Sequence, residues 1–258
     1  MDKTSGSSSG GVDRTIAMLE LLALAEEPLK LSDIAHRLDI PKSASHRILT
    51  SLLENGWARQ SNESDCYALT IRMALIGQKQ LDRLKVTDLK QPILNDLAER
   101  TRELVRLTAV QNNSLVWIGS ARGRRSGLVF EPDMSAAISP FATANGKIWL
   151  ASLEREHALR IALEAGLGQA GQSSASIRSI DALTKALDET KGQGYGRARG
   201  EAEEGVGAIA VAIKQGDAVV GTMSVAAPLT RLTDDKVAEI VPLLHRAASN
   251  MSIAWQSN

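Results

Sequence analysis

The residues best suited to chemistry lie close together near the N-terminus, in the segment from Pro41 to Leu53. This segment contains Lys42 and Arg47 and no acidic residue, which gives it a local formal charge of +2. An arginine can donate two hydrogen bonds to one guanine, while ammonium and hydroxyl groups suit phosphate oxygens. These residue types therefore indicate contact with nucleic acid rather than catalysis.

A helix is predicted to position these side chains, because Pro41 suits a first helical turn and Gly56 suits the left-handed residue that ends a helix. At 100° per residue the apolar residues fall on one side together with Ser45, and most polar residues fall on the other. The polar side is predicted to enter a major groove of DNA, and an ordinary solvated helix surface is the alternative. The candidate DNA-contacting residues of this helix are Lys42, Ser43, Ser45, His46, Arg47 and Thr50.

The elements around this helix are typical of a winged helix-turn-helix. The spacing of apolar and β-favouring residues predicts helices over Val12–Ala25 and Ser32–Leu38 and a hairpin formed by Trp57–Gln60 and Tyr67–Thr70. Ser32 is the expected N-cap of the second helix. The hairpin would be the wing, and Arg59 within it is a further candidate for contact with the DNA backbone.

The remainder of the chain has a different texture. A flexible lead is predicted over residues 1–11, the winged module over 12–70, a connecting helix over 71–89 and a second domain over 90–258. In that second domain, β-type runs are predicted at Glu103–Val110, Leu115–Ala121, Ser126–Phe130, Gly207–Ile213 and Ala218–Ala226, and helices near Phe141–Ser152, Arg155–Ala165, Ile180–Lys191 and Asp234–Trp255. This pattern is typical of an α/β (α+β) fold with a mainly antiparallel sheet flanked by helices.

Composition excludes several classes of protein. The 258 residues include 30 Lys and Arg against 30 Asp and Glu, so nucleic-acid affinity must come from a local patch. The single cysteine, Cys66, excludes a disulfide framework, and the four histidines are too scattered for a metal site, so neither metal nor cofactor is expected. The run Gly166–Gly171 matches a dinucleotide fingerprint but follows a helix, so it is interpreted as a helix terminus. No apolar run is long enough for a bilayer, which favours a cytoplasmic protein without membrane contact.

Several segments, taken in order along the chain, resemble the IclR family of bacterial transcription regulators. They are Val12–Thr15, Leu31–Ala35, Pro41–Leu49, Ser139–Lys147, Gly194–Gly196, Gly205–Ala210, Gly221–Ala226 and Arg231–Thr233. The resemblance implies that Arg14 contacts a DNA phosphate. It also shows two departures, because the family commonly has a hydroxyl residue where Ala44 stands and an apolar residue where Ser45 stands, so base preference is expected to differ.

The resemblance further implies a GAF-like effector domain with a small-molecule pocket. The candidate effector-binding residues are Phe130, Ala144, Asn145, Gly146, Arg199, Val206, Ala208, Ser224 and Ala226. Backbone amides at the start of a helix favour a carboxylate, and Arg199 is a second candidate for holding one. The family often has a polar residue where Ala208 and Ala226 stand, so the ligand is expected to have an apolar or aromatic body.

Taken together, these observations predict a non-enzymatic transcription regulator that binds an operator in double-stranded DNA under the control of a small organic effector. An oligomer is expected, because one module with two basic residues on its helix neutralises few phosphates, and the resemblance to the IclR family implies a dimer or tetramer. Two alternatives remain open. One is an enzyme that uses the C-terminal pocket, and the other is a metabolite sensor that signals to a protein partner.

Overall fold

The computed structural model describes residues 10–61, 64–83, 89–123, 137–168 and 174–256. The chain divides into two compact units, with the boundary between Gln80 and Leu81. The limits of the domains and of the connecting helix given above stay predictions.

The first unit is a small helical module with a three-stranded sheet. Its elements are α1 (Gly11–Leu24), β1 (Leu29–Lys30), α2 (Leu31–Arg37), α3 (Lys42–Glu54), β2 (Ala58–Gln60) and β3 (Cys66–Leu69), and α4 (Arg72–Arg83) crosses the boundary. The strand order is β1-β3-β2 with antiparallel pairing. The predicted three helices and hairpin are therefore present, together with the short strand β1, which was not predicted.

The core of this module comes from the apolar sides of its helices. Met18 of α1, Ile34 of α2, Leu49 and Leu52 of α3 and Tyr67 of β3 are buried together. Because the apolar residues of α3 point into this cluster, its polar residues must face outward.

The ends of α2 and α3 follow local backbone chemistry. Helix α3 ends at Asn55 and Gly56, and Gly56 has the positive φ of +70° that glycine adopts at little cost. Helix α2 begins one residue earlier than predicted, with Lys30 at the N-cap, so the assignment of Ser32 as N-cap is wrong. The Ser32 hydroxyl instead donates to the carboxylate of Asp33 at 3.3 Å.

The second unit is built on one five-stranded sheet. Its elements are α5 (Gln91–Thr101), β4 (Leu104–Gln111), β5 (Ser114–Arg122), α6 (Ala144–Leu150), α7 (Arg155–Glu164), α8 (Ile180–Gln193), β6 (Gly196–Arg199), β7 (Val206–Gln215), β8 (Ala218–Pro228) and α9 (Asp234–Gln256). The strand order is β5-β4-β8-β7-β6, and every described pair is antiparallel. This confirms the predicted α+β class with a mainly antiparallel sheet.

Alternation along the strands separates the two faces of this sheet. One face packs against α5 and α9 and carries residues such as Val105, Val211 and Met223. The opposite face, here named the α6 face, packs against α6 and carries Leu104 and Ala208. Successive side chains of a strand therefore point to opposite faces, so whether a residue lies an even or an odd number of positions from a residue of its strand on the α6 face, such as Leu104 or Ala208, here called its parity, decides its face.

Helix α6 begins later than predicted because of its cap. The segment from Ser139 to Thr143 is not helical, and the Thr143 hydroxyl accepts a hydrogen bond from the Gly146 N–H at 3.0 Å. A Cβ on Gly146 would lie 2.3 Å from the carbonyl oxygen of Pro140, so only glycine allows this approach. Strand β6 was not predicted, and the predicted strand Ser126–Phe130 lies outside the described residues.

Candidate functional site

The exposed side of α3 carries the residues that were expected to contact DNA. Lys42, Ser43, His46 and Arg47 are exposed, and Thr50 is half-buried, with its hydroxyl donating to the carbonyl oxygen of His46 at 2.9 Å. The structure thus brings two cationic side chains, an imidazole and a hydroxyl to one helix surface, which is named the α3 face below. These groups are able to donate hydrogen bonds to phosphates and base edges.

Ser45 does not belong to the α3 face. Ser45 is fully buried, on the same inner side of the helix as Leu49. Its hydroxyl has no hydrogen-bond partner among the residues that the structure describes. The expectation that Ser45 contacts DNA is wrong, because the helical projection that placed it with the apolar residues also holds in the folded module.

Two further arginines flank the helix in the same unit. Arg59 lies on the wing strand β2, where it pairs with Ala68 of β3 and is exposed. Arg14 lies on α1 and is half-buried. Both positions are compatible with phosphate contacts, which stay predictions.

A concave surface adjoins the start of α3. Its volume is about 530 Å³, and its lining includes Lys30, Lys42, Gln60 and Asp65. Lys30 reaches this surface because β1 pairs with β3, with Lys30 opposite Cys66. Two ammonium groups against one carboxylate suit a DNA phosphate. The sequence analysis did not single out Lys30, because the two-residue strand β1 leaves no recognisable pattern.

In the second unit, Asn145 is the centre of a buried hydrogen-bond network. Its Nδ2 donates to Ser224 Oγ at 2.9 Å, and its Oδ1 accepts from Thr222 Oγ1 at 2.9 Å. The Thr222 hydroxyl also lies 2.6 Å from that of Thr108. The two Asn145 hydrogen bonds connect the start of α6 to β8, and the Gly146 amide is bonded to Thr143 at the N-cap of the helix.

The small residues of the predicted pocket are closely packed under α6. Ala144, Ala208 and Ala226 are buried in one cluster with Ile148. Val206 lies on the same face of β7 and is half-buried. Contact of these residues with an effector stays a prediction, and Phe130 lies outside the described residues.

Arg199, a candidate for holding the effector's carboxylate, does not lie on the α6 face, and its contact with an effector stays a prediction. On β6 it is Ala198 that joins the cluster on the α6 face. Arg199 has the opposite parity, its side chain is 60% exposed, and Nη1 lies 3.7 Å from Asp234 Oδ1 at the start of α9. Arg197 binds the same carboxylate at 2.6 Å, and its hydrogen bond holds the pKa of Asp234 below the ordinary value.

Arg106 on β4 brings a positive charge to the α6 face. The sequence analysis did not single out this residue. Its guanidinium carbon lies 4.3 Å from the ring centroid of Trp117. Burial lowers the pKa of Arg106 to about 10, and the nearby carboxylate of Glu203 acts in the opposite direction. The sequence does mark this position, because Arg106 is the one charged residue in the run Leu104–Val110, whose other residues are apolar or carry a hydroxyl group.

A buried ion pair that the sequence analysis did not predict joins Lys147 of α6 to Glu201, which lies between β6 and β7. Lys147 Nζ of α6 lies 2.6 Å from Glu201 Oε2, and the two side chains are only 6% and 12% exposed. Lys147 also donates to the carbonyl oxygen of Arg197 at 2.9 Å. No local pattern in the sequence predicts this pair, because its two residues lie 54 positions apart. The pair ties the β6–β7 turn to α6.

Side chains of the kinds found in metal sites do not form clusters among the described residues. Among the described residues, no cluster of three or more His, Cys, Asp or Glu side chains is placed to hold a metal ion. Cys66 is half-buried in β3, and its thiol donates to the carbonyl oxygen of Ser64 at 3.3 Å. Within the same described ranges, no helix is long and apolar enough to cross a membrane.

Comparison with known proteins gives consistent matches along the whole chain. The family described as "IclR helix-turn-helix domain" matches residues 11–62, and that described as "Bacterial transcriptional regulator IclR C-terminal" matches residues 78–253. The HTH-type transcriptional regulator KdgR of Escherichia coli is 29% identical over 245 residues, which cover 90% of this chain and 88% of KdgR. The transcriptional repressor IclR of the same organism is 24% identical over 94% of this chain and 88% of its own length.

Solved structures share the fold. An IclR regulator from Alicyclobacillus acidocaldarius superposes with a TM-score of 0.83 at 23% identity, covering 95% of this chain and 98% of that one. An IclR homologue from Microbacterium hydrocarbonoxydans, solved in complex with 4-hydroxybenzoate, superposes with a TM-score of 0.78 at 20% identity, covering 96% and 100%.

Proposed function

The chain belongs to the IclR family of bacterial transcriptional regulators, which are not enzymes, and we propose from this premise that it binds a specific operator under the control of a small organic effector. The observation that carries the proposal is the α3 face. Its exposed cations and hydroxyl lie on the second helix of a helix-turn-helix, which is the helix that enters the major groove in this motif.

Contacts to DNA divide by their chemistry. Arg47 is exposed on α3 and has the planar guanidinium that pairs with a guanine edge. Lys42 and Lys30 line the concave surface at the start of α3 and suit phosphates, as do Arg14 and Arg59. We infer that Arg47 contributes to sequence preference, whereas the other cations contribute mainly to affinity.

Two copies of the chain are expected to bind one operator. A single α3 face neutralises few phosphates, and two recognition helices would read half-sites about one DNA turn, roughly 34 Å, apart. Exposed apolar side chains support self-association through the first unit: Ile71 and Leu75 beside α4 are 73% and 58% exposed, and Val12 of α1 is 72% exposed. Isolated water-exposed side chains of this kind are common, whereas Ile71 and Leu75 are one helical turn apart and form an exposed apolar pair that suits an interface.

The second unit is the proposed effector-binding part. The α6 face carries the hydroxyl of Ser224 and the guanidinium of Arg106, with apolar surroundings that suit an organic acid. The Microbacterium homologue solved with 4-hydroxybenzoate supports an aromatic or related acid. Control of DNA binding then requires that the effector favour one arrangement of the subunits over another.

Selection of duplex DNA from a randomised library tests the DNA-binding function directly. The purified full chain is expected to enrich a motif with two half-sites, and Arg47→Ala is expected to weaken that enrichment strongly. Arg160→Ala is the matched control, because Arg160 is an exposed arginine on α7. Failure of the unmodified chain to enrich any motif would contradict the proposal.

A further inference from the structure

The C-terminal end of α3 is closed by a left-handed turn. The Gly56 N–H donates to the carbonyl oxygen of Leu53 at 3.0 Å, and the next N–H, that of Trp57, donates to the carbonyl oxygen of Leu52 at 2.8 Å. These bonds satisfy two of the last carbonyl groups of the helix. The carbonyl oxygen of the C-cap residue Asn55 is bound by a side chain from outside the helix.

That side chain is Arg72, the first residue of α4. Its Nη1 donates to the Asn55 carbonyl oxygen at 2.5 Å, and its guanidinium carbon lies 5.2 Å from the ring centroid of Trp57, within the range of a cation–π contact. The last turn of α3 contains no basic residue of its own. Since the C-terminal end of a helix carries partial negative charge, a guanidinium bound there is favourable. Arg72, 17 positions further along the chain, therefore completes the end of α3.

The hydroxyl group of Thr70 connects the same two helices. Thr70 Oγ1 donates to the carbonyl oxygen of Gly56 at 2.7 Å and accepts from the N–H of Arg72 at 3.3 Å. The Thr70 N–H also donates to the carbonyl oxygen of Trp57 at 2.9 Å. The end of α3 and the start of α4 are therefore joined by side chains and by backbone. The contacts among Asn55, Gly56, Trp57, Thr70 and Arg72 are named the α3–α4 joint.

Helix α4 does not bury a face in the core of the first unit. All of its residues lie within the described ranges, and none of them is buried. Its apolar residues Leu75 and Ile76 are 58% and 48% exposed, and they continue the exposed pair that we propose as an interface between two copies. A residue that fixes α3 to α4 therefore also fixes α3 to the proposed interface.

We propose that Arg72 is a positioning residue that sets the distance between the two half-sites of the operator. The proposal rests on the DNA binding and the pairing of two copies proposed above. In an assembly paired through α4, the separation of the two α3 faces depends on the angle between α3 and α4 in each copy, and the α3–α4 joint holds that angle. Arg72 does this without touching DNA, because it binds the opposite end of α3 from Lys42.

The spacing of half-sites is a strict requirement for two helices that are held rigidly. Half-sites about one DNA turn apart face the same side of the duplex. Two extra base pairs between them rotate one half-site by roughly 70° and move it by about 7 Å along the axis. A rigid pair of helices loses contacts on such a duplex, whereas a pair with loosened joints still reaches both half-sites. Loss of Arg72 is therefore expected to weaken the preference for one spacing rather than the contact with each half-site.

Dissociation constants of the full chain for three duplexes test the assignment. The duplexes are the operator selected from the randomised library, the same operator with two extra base pairs between its half-sites, and a single half-site. The spacing preference is the second constant divided by the first. Arg72→Ala is expected to lower this preference roughly tenfold, while changing the half-site constant by less than about twofold.

Two further variants separate positioning from a general effect on the fold. Arg72→Lys retains a cation that is able to donate to the Asn55 carbonyl oxygen, so it is expected to keep most of the spacing preference. Arg83→Ala is the matched control at an exposed arginine of the same helix, and it is expected to keep all of the preference. Light scattering of R72A is expected to give the mass of the unmodified chain.

Several results would overturn the assignment. They are an unmodified chain that binds both spacings equally, an unchanged preference in R72A, equal weakening of all three duplexes by R72A, and loss of the preference in R83A as well. A lower mass of R72A would also overturn it, because loss of pairing alone removes the preference. Failure of the unmodified chain to enrich any operator would instead overturn the proposed function, and this assignment with it.

Discussion

Substitution of Ser45 by alanine is expected to stabilise the winged module, although Ser45 lies in the helix that we propose to contact DNA. The residue is fully buried, and its hydroxyl has no hydrogen-bond partner among the described residues. A buried polar group left unsatisfied costs about 1 to 3 kcal/mol, and alanine gains roughly 0.5 kcal/mol over serine in a helix interior. The cavity left by one oxygen offsets part of this gain. We therefore expect Ser45→Ala to raise the free energy of unfolding by about 1 to 2 kcal/mol.

The matched variant is Ser43→Ala, because Ser43 is an exposed serine two residues earlier in the same helix. Its effect on stability is expected to stay within about 0.5 kcal/mol. Hydrogen exchange of the α3 amides in the full chain measures both variants, and S45A is expected to slow exchange by about 5- to 30-fold. Operator affinity should show the reverse pattern, unchanged in S45A and weaker in S43A. Unchanged or faster hydrogen exchange in S45A would mean that the Ser45 hydroxyl has a hydrogen-bond partner, and the expected stabilisation would then be wrong.

Two other substitutions test the second unit and the assembly. Asn145→Ala removes two buried side-chain hydrogen bonds of 2.9 Å, so it is expected to lower the free energy of unfolding by about 2 to 4 kcal/mol. Urea unfolding followed by tryptophan emission measures this loss, and Asn250→Ala at an exposed asparagine is the control. A loss below about 1 kcal/mol would contradict the hydrogen-bond network. Leu75→Glu places a charge among the exposed apolar residues of α4 and is expected to lower the mass measured by light scattering to that of a monomer. Leu163→Glu on α7, also at an exposed leucine, should leave the mass unchanged, and a monomeric unmodified chain would argue against the interface.

The α3 face was predictable because its information is local. Helical periodicity within 13 residues places Ser45 with Leu49 and leaves Arg47 outside, which is how the residues are buried in the fold. The adjacent strand β1 was not predictable in the same way. It has only two residues, and its pairing with β3 depends on a partner 36 residues away, between Lys30 and Cys66.

The residues of the α6 face were harder to predict, because the pairing of strands distant in sequence decides which side chains lie on it. Strand parity decides which arginine faces α6, and parity is set by the pairing of β6 with β7 and of β4 with β8. Without that register, the sequence does not show that Arg106 on β4 lies on the α6 face, whereas Arg199 on β6 lies on the opposite face. The Lys147–Glu201 pair likewise has no local signal, because its members come from a helix and a turn that only the fold brings together.

Contact between Arg47 and base edges can be tested by the ratio of two affinities. Dissociation constants for a selected operator and for a scrambled duplex of equal length are measured at one salt concentration, for the unmodified chain, R47A and R160A. R47A is expected to weaken operator binding by about 1 to 3 kcal/mol while changing the scrambled duplex much less, so that the ratio falls by roughly tenfold or more. R160A should change neither constant. Equal weakening of both duplexes by R47A, or no weakening of either, would contradict the account.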